Sequence, residues 1–207
     1  MRLEYCDVEL FYRLWFPLLD FVNRKYHVCS NTEIIDMEEG VDPYDAKAAA
    51  DYLWSHPAVL EEYLAAAELP EELAQIVEGW KRCKPGRYIL ERHLKKGSVF
   101  ISAEDNSVYI VKGLCSTWEE MLGEAPILLD AVLIPFRDSI ISDGLVVPYR
   151  IYFGKGVVNF AHAATPARTF SHGVTGFQPR RHGAEPQWSE GLLHPSDLSI
   201  RHCSSGR

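Results

Sequence analysis

Two charged residues on one predicted strand could carry acid–base chemistry. Glu91 and His93 lie in the run 87–94, where apolar and polar residues alternate as they do along a β-strand. Because side chains two positions apart on a strand point to the same face, this carboxylate and this imidazole could act together as a general acid and base. The alternative, which we favour, is a surface pair on a solvated strand face.

Asp130 is a second candidate, since it interrupts the apolar run 126–136. If its carboxylate were buried, it would need a basic partner or its pKa would rise. The arginines that could serve as partners are Arg87, Arg92, Arg137 and Arg150. If Asp130 instead lies on the polar side of its strand and faces solvent, it needs no such partner, and we favour this interpretation.

The other acidic patterns favour structural roles. Asp143 stands in Ser142-Asp143-Gly144, and the Asp-Gly dipeptide is typical of a tight β-hairpin turn. A cluster in the N-terminal half could suggest a cation site, but its spacing does not fit the twelve-residue calcium loop and favours an acidic loop. Its members are Asp36, Glu38, Glu39, Asp42 and Asp45.

The sequence lacks the motifs of the common nucleotide-binding proteins and hydrolases. It contains no G-x-x-x-x-G-K-[ST], G-x-G-x-x-G, G-x-S-x-G or H-E-x-x-H. We therefore assign no catalytic, cofactor-binding or metal-ligating residue and no cofactor, and whether the protein is an enzyme stays open.

Composition narrows the class of protein. The 207 residues are 47% hydrophobic and 24% charged, as in an ordinary soluble protein. A net charge of −8 disfavours binding to nucleic acid or to an anionic membrane surface. The N-terminus does not fit a secretory signal, and no run approaches the roughly 18 apolar residues of a spanning helix. Five scattered cysteines without a C-x-x-C pair predict reduced thiols in a cytoplasmic protein; a zinc site or a catalytic thiol is the alternative.

Apolar periodicity predicts helices before strands. Helical spacing occurs in 8–26, 43–54, 59–67 and 71–80, with Pro17 expected to kink the first helix or to start a second segment there, and with a loop over 28–40. From Gly86 the period changes to two. The predicted elements are a strand at 87–94, a hairpin of 98–102 and 108–112, a short helix from a capping box at 116–119 to Leu122, a strand at 126–136, a hairpin over 139–147 and a strand at 150–153.

These elements predict an α+β fold, in which an N-terminal helical subdomain packs on a mostly antiparallel β-meander or partly closed barrel and an irregular C-terminal tail follows. The expected boundaries are a helical subdomain at 1–85, a β-rich subdomain at 86–156 that forms one folding unit with the first, and the tail at 157–207.

The tail differs from the rest of the chain in composition. Residues 157–207 contain no lysine, hold five of the eight histidines, and carry five basic against three acidic residues, whereas residues 1–156 carry 16 against 26. This change favours a disordered or non-native C-terminal end. A histidine metal site and an arginine-rich binding arm are the other interpretations.

Three stretches carry a resemblance to a known group. They are the run from Glu91 to Gly97, the hairpin after it, and the segment from Leu133 through Asp143-Gly144-Leu145 to Gly154. Over about residues 8–156 the chain resembles a group of uncharacterised bacterial proteins with a helical N-terminal part and a β-rich C-terminal part. The resemblance implies no activity. Members of the group continue past the final strand with a basic helical segment, which this chain lacks.

The N-terminal part is rich in aromatic residues, which can anchor protein interfaces. They include Tyr12, Trp15, Phe16, Tyr44, Tyr52, Trp54 and Tyr63. We therefore predict a cytoplasmic interaction or regulatory module that binds another protein. The alternative is a hydrolase or small-ligand-binding enzyme that uses Glu91, His93 and Asp130.

Overall fold

The computed structural model describes residues 1–30 and 42–149 in full, and the backbone alone of 35–36 and 40–41. Within this part the helices are α1 (Tyr5–Tyr26), α2 (Pro43–Ser55), α3 (Ala58–Ala66), α4 (Glu71–Gly79) and α5 (Trp118–Leu122), with a 3-10 turn at Trp80–Arg82. The strands are β1 (Ile35–Asp36), β2 (Gly40–Val41), β3 (Lys84–Leu94), β4 (Gly97–Ser102), β5 (Val108–Val111), β6 (Ile127–Phe136), β7 (Ser139–Ser142) and β8 (Val147–Tyr149). Helices followed by a mixed sheet make an α+β fold, as predicted. The predicted strand 150–153 and the tail 157–207 lie outside the described residues.

Helix α1 forms because its apolar residues line one long face. Leu14, Leu18 and Leu19 are almost completely buried on this face, and burial of each such side chain contributes about 1.5–3 kcal/mol. The helix runs through Pro17 as one segment, so no second helix starts there. It ends at His27, whose left-handed backbone (φ 51°) lets its N–H donate to the carbonyl of Asn23.

The next helices start and stop as their sequence signals predict. Asp42 caps α2 by accepting hydrogen bonds from the backbone N–H groups of Tyr44 and Asp45. His56-Pro57 separates α2 from α3. The predicted loop 28–40 includes part of one short ladder, since β1 and β2 pair antiparallel.

Six strands form one mixed sheet in the order β3-β4-β5-β7-β6-β8. An additional pairing joins β3 to β6, so the sheet curls back on itself. The closure between β5 and β7 is a single parallel residue pair, Val111 with Ile140, and the sheet is therefore not a clean barrel. Strand β3 starts earlier than predicted, because Lys84 and Pro85 already pair with β6.

The segment around Asp143 differs from the predicted hairpin. Strands β7 and β8 do not pair with each other; both pair with β6, β7 through residues 139–142 and β8 through residues 147–149. The register of pairing with β6 shifts by two residues from β7 to β8. The segment with Asp143 and Gly144 therefore forms a bulge between the two strands that share this side of β6. Gly144 has a φ of +83°, which permits this bulge as readily as it would permit a turn.

The short helix α5 begins one residue later than its predicted capping box. Thr117, not Ser116, accepts a hydrogen bond from the backbone N–H of Glu120, and the Glu120 carboxylate accepts from the N–H of Thr117. Ser116 with Glu119 and Thr117 with Glu120 both fit the pattern S/T-x-x-E/Q. The sequence alone therefore does not decide which of the two residues caps the helix. The predicted end at Leu122 with Gly123 as the cap is confirmed.

An aromatic core joins the helices to β6. Trp15 of α1 stacks on Trp54 of α2 with ring centroids 5.5 Å apart and meets Trp80 edge-on at 5.9 Å. Phe11 contacts Phe136 of β6 edge-on at 5.8 Å. Such pairs add about 0.5–1.5 kcal/mol beyond the burial of their area. The helical layer is thereby fixed to the end of the sheet that holds Phe136.

A second core fills the concave side of the curled sheet. Phe100 of β4 and Trp118 of α5 pack edge to face at 4.9 Å, beside Tyr88, Leu90 and Leu129. Helix α5 therefore covers one opening of the curled sheet. Among the described helices, none is both long enough and apolar enough to cross a membrane.

Candidate functional site

Glu91 and His93 have different hydrogen-bond partners. A β-bulge lies between Leu90 and Arg92 and interrupts the regular alternation of side chains along β3. The predicted acid–base pair depended on that alternation. The Glu91 side chain is buried and accepts a hydrogen bond of 2.6 Å from Nη1 of Arg92. The surface pair that we favoured is therefore wrong for Glu91, because the bulge turns it inward.

His93 is positioned by the hairpin β3–β4 and by the end of α5. Its Nδ1 lies 2.8 Å from Oγ of Ser98, and its Nε2 lies 3.0 Å from the carbonyl oxygen of Gly123. Because a carbonyl only accepts, Nε2 donates, and in the neutral ring Nδ1 accepts from the serine hydroxyl. Both ring nitrogens are thus used to hold α5 against the hairpin.

Asp130 lies on the solvent side of β6, as favoured from the sequence, with 40% of its side chain exposed. It also has one of the considered partners: Arg87, opposite it on β3, donates from Nε at 2.9 Å. Tyr149 of β8 donates a hydrogen bond to the same carboxylate. Ion pairs of this exposure contribute little stability, so the group mainly ties β8 to the sheet.

Asp143 is a buried polar group that the sequence did not indicate. Only 6% of the residue is exposed, and its carboxylate accepts hydrogen bonds from Nε1 of Trp54 at 3.0 Å and from the N–H of Leu145 at 3.1 Å. Burial raises the pKa of Asp143 to about 6 even though these hydrogen bonds oppose the rise. The prediction of a simple turn residue is incomplete, because the partner Trp54 lies 89 positions away.

A thiol and a phenol lie near Asp143, and the charge of Lys47 also acts on it, favouring the ionised carboxylate. Burial, with the Asp143 charge as a smaller cause, raises the pKa of the Cys83 thiol to about 12. Burial also raises the pKa of the Tyr12 phenol, with contributions from Cys115 and Asp143. Since neither of the two surface cavities described below is lined by Asp143, we interpret it as a structural contact between α2 and the bulge.

A surface groove lies between α1 and α3, and we call it the α1–α3 groove. Its volume is about 640 Å³ and it is open to solvent. The lining residues are Pro17, Asp20, Phe21, Arg24 and Lys25 of α1, Tyr63 and Ala66 of α3, and Ala67. The volume lies in the range of about 300–1,000 Å³ that is usual for ligand sites.

The floor of the groove is aromatic. Phe21 and Tyr63 meet edge to face with ring centroids 5.4 Å apart. Tyr63 is 5% exposed, and burial raises the pKa of its phenol. Beside it, α3 ends in small side chains, Ala66 and Ala67, so the surface is concave where a larger residue would fill the space.

One rim of the groove carries two basic residues, each of which is paired with a carboxylate. Lys25 pairs with Glu62 at 2.8 Å, and its ammonium lies 5.3 Å from the centroid of the Phe21 ring. Arg24 lies 3.7 Å from Asp20 and keeps 60% of its side chain exposed. Hydrogen bonds from Lys25 and Tyr26 hold the pKa of the Glu62 carboxyl below its usual value. Both basic side chains remain accessible to a partner, because about half or more of each is exposed.

A smaller cavity of about 180 Å³ lies between α4 and the β6–β7 turn. Arg82 and Arg137 line it together with Glu72, so its charges are mixed. Arg137 is already paired with Asp7 of α1. This cavity offers less apolar surface than the α1–α3 groove and no matching aromatic floor.

The structure tests the metal and cysteine predictions only for the residues that it describes. No group of three or more potential ligands among the described residues could hold a metal ion. Cys6, Cys29, Cys83 and Cys115 are free thiols. The side chains of Asp36, Glu38 and Glu39, together with Cys203 and the five tail histidines, lie outside the described residues.

Comparison with known proteins identifies no family. No family model matches the chain, no curated protein matches it, and no solved structure matches it. The resemblance to the bacterial group described above stays a prediction.

Proposed function

We propose that this protein is an interaction module that binds a segment of a partner protein in the α1–α3 groove. The observation that carries the proposal is the combination of an aromatic floor, formed by Phe21 and Tyr63, with an exposed basic rim at Arg24 and Lys25. Grooves between helices commonly take peptide segments through a few apolar anchors. We also propose a cytoplasmic location, since the four described cysteines are free thiols.

The partner segment is short, acidic and carries one large apolar side chain. The groove lining holds two basic residues and one acidic residue, and each basic residue has a carboxylate neighbour, Asp20 for Arg24 and Glu62 for Lys25; the whole chain has a net charge of −8. A carboxylate of the partner would meet Arg24 and Lys25, and complementary charge raises both specificity and association rate. The apolar side chain would pack on Phe21 and Tyr63 beside the small side chain of Ala66.

The enzyme alternative has less support. Of its three candidate residues, Glu91 is paired with Arg92, His93 uses both ring nitrogens on Ser98 and Gly123, and Asp130 is paired with Arg87. A catalytic acid or base must reach the proton that it transfers, typically within about 2.6–3.2 Å of the reacting atom. The hydrogen bonds named above for these three side chains go to groups of the protein itself.

The test is a selection of peptide binders on the whole chain. A phage-displayed library of random short peptides is selected against the protein, and enriched peptides are retested on Ala66→Arg and Ala65→Arg variants. Both alanines are exposed on α3, but only Ala66 lines the groove. We expect enriched sequences with acidic and aromatic residues that no longer bind Ala66→Arg. Peptides that bind both variants equally would contradict the proposal.

A further inference from the structure

A carboxylate of the protein already binds Lys25 on the rim of the α1–α3 groove. Nζ of Lys25 donates a hydrogen bond of 2.8 Å to Oε2 of Glu62 on α3. Lys25 lines the groove, whereas Glu62 is not among the lining residues. The same ammonium is therefore within reach of a partner segment in the groove and of Glu62 beside it.

Tyr26 fixes the Glu62 carboxylate beside Lys25. The Tyr26 hydroxyl donates a hydrogen bond to the same oxygen, Oε2, and the Tyr26 ring packs against Tyr52 of α2 with ring centroids 4.8 Å apart. The hydrogen bonds from Lys25 and Tyr26 lower the pKa of the Glu62 carboxyl below its ordinary value. Glu62 is therefore ionised near neutral pH and carries its negative charge next to the groove.

The ion pair of Lys25 with Glu62 is weak enough to be exchanged for another carboxylate. The two side chains are 46% and 41% exposed, and pairs of this exposure contribute about 0.2–1 kcal/mol. The ammonium also lies 5.3 Å from the centroid of the Phe21 ring and 5.7 Å from that of the Tyr26 ring. Both rings attract a cation whether or not Glu62 is bound to it, so they keep Lys25 at the rim during an exchange.

We propose, on the basis of the proposed function, that Glu62 is an internal competitor for the partner's carboxylate. Glu62 holds Lys25 in the free protein and gives it up when the acidic partner segment binds. Two carboxylates at one ammonium would repel each other, which favours displacement of Glu62 over binding of both. An uncharged segment gains nothing from Lys25 while Glu62 holds it, so the exchange favours acidic partners.

The test is a double-mutant cycle on the affinity of one peptide. The peptide is taken from the selection described above and is chosen because it no longer binds Ala66→Arg. Its dissociation constant is measured at physiological ionic strength for the parent, Glu62→Gln, Lys25→Met and the double variant. Glu62→Gln removes the charge but keeps an oxygen that can accept from the Tyr26 hydroxyl.

We expect Glu62→Gln to bind the peptide roughly two- to fivefold more tightly than the parent, equivalent to about 0.4–1 kcal/mol. In the Lys25→Met background the same change should have no effect, because the gain depends on release of Lys25. The matched control is Glu61→Gln, which removes the same charge from the neighbouring position on α3. Glu61 contacts Lys81 at 3.3 Å instead of a groove residue, so this variant should bind like the parent.

A second measurement reports the exchange itself. Carboxyl NMR titration of the parent gives the pKa of Glu62 with and without saturating peptide. We expect this pKa to rise when the peptide binds, because the hydrogen bond from Lys25 that lowers it is lost. An unchanged pKa would show that Glu62 keeps Lys25 in the complex and would overturn the inference.

The outcomes separate this inference from the proposed function. A peptide that depends on Ala66 but binds Glu62→Gln no more tightly than Glu61→Gln would overturn the inference and leave the proposed function standing. Equal tightening with and without the Lys25 charge would also overturn it, since general repulsion by Glu62 would then explain the gain. Failure to find any peptide that depends on Ala66 would overturn both.

Discussion

The indole Nε1 of Trp54 donates a hydrogen bond of 3.0 Å to the buried carboxylate of Asp143 and thereby joins α2 to the bulge between β7 and β8. Trp54 also stacks on Trp15 of α1. One contact therefore links both helices to an edge of the sheet. A buried hydrogen bond to a charged group is among the stronger single contacts in a protein, at about 1.5–3 kcal/mol.

The buried carboxyl of Asp143 predicts a dependence of stability on pH. Its pKa is about 6 in the folded chain, against an ordinary value of 3.8. The folded state thus binds this proton more tightly than the unfolded state does, and the carboxyl imposes no penalty below about pH 4. As the pH rises through 6, ionisation of the buried group costs about 3 kcal/mol.

Asp143→Asn removes this titration while keeping an oxygen that can accept from Trp54. We expect the stability of the parent, measured relative to the variant by urea unfolding, to fall by about 3 kcal/mol between pH 4 and pH 7. Other carboxyl groups titrate equally in both proteins, so the difference isolates Asp143. Parallel stability curves over this range would show that the carboxyl does not titrate as described.

A pair of tryptophan variants tests the Trp54–Asp143 hydrogen bond. Trp54→Phe removes the donor to Asp143, whereas Trp80→Phe removes a buried indole N–H that has no hydrogen-bond partner among the described residues. Both changes remove the same atoms from the same core, so their difference reports the hydrogen bond. We expect Trp54→Phe to lower the free energy of unfolding by about 1–3 kcal/mol more than Trp80→Phe. Equal losses in urea unfolding would mean that the bond adds nothing.

The capping box of α5 gives a smaller and well-defined prediction. Thr117→Ala removes the hydroxyl that accepts from the N–H of Glu120, and loss of such a cap costs about 1 kcal/mol. Ser116→Ala is the matched control, since its neighbour Thr117 is the residue that caps the helix. We expect the control to unfold like the parent in chemical denaturation. A larger loss in Ser116→Ala than in Thr117→Ala would place the cap where the sequence alone suggested it.

A truncated chain tests whether the residues after 156, where the composition changes, contribute to stability. We expect a chain that ends after Gly156 to melt at about the same temperature as the full chain, because the change in composition after residue 156 predicts that 157–207 adds nothing to the stability of the rest of the chain. The two proteins are compared by calorimetry at equal concentration. A large drop in melting temperature on truncation would show that the tail contributes to the fold.

Local patterns in the sequence predicted most of the helices and the β4–β5 hairpin. Helix α1 follows directly from apolar spacing, and the hairpin follows from two β-branched runs around a polar loop, which pair as expected through Val99 and Ile110. Both signals act between residues that are close in the chain. For this reason a sequence pattern is enough to find them.

The remaining features depend on contacts between distant residues. The ion pair between Arg87 and Asp130 joins β3 to β6 across 43 positions, and the hydrogen bond between Trp54 and Asp143 spans 89. The bulge that buries Glu91 interrupts the strand periodicity, but no glycine or proline lies at this position to indicate it in the sequence. The α1–α3 groove depends on Ala66 being small opposite Phe21, and small residues at a helix end carry no distinctive pattern.

The affinity of one selected acidic peptide for three proteins tests the proposed function most directly. Fluorescence anisotropy with a labelled peptide gives the dissociation constants for the parent chain, for Ala66→Arg and for Ala65→Arg. We predict that Ala66→Arg weakens binding by about tenfold or more, equivalent to about 1.4 kcal/mol, while Ala65→Arg stays within about twofold of the parent. Equal weakening by the two variants, or none by either, would contradict binding in the α1–α3 groove.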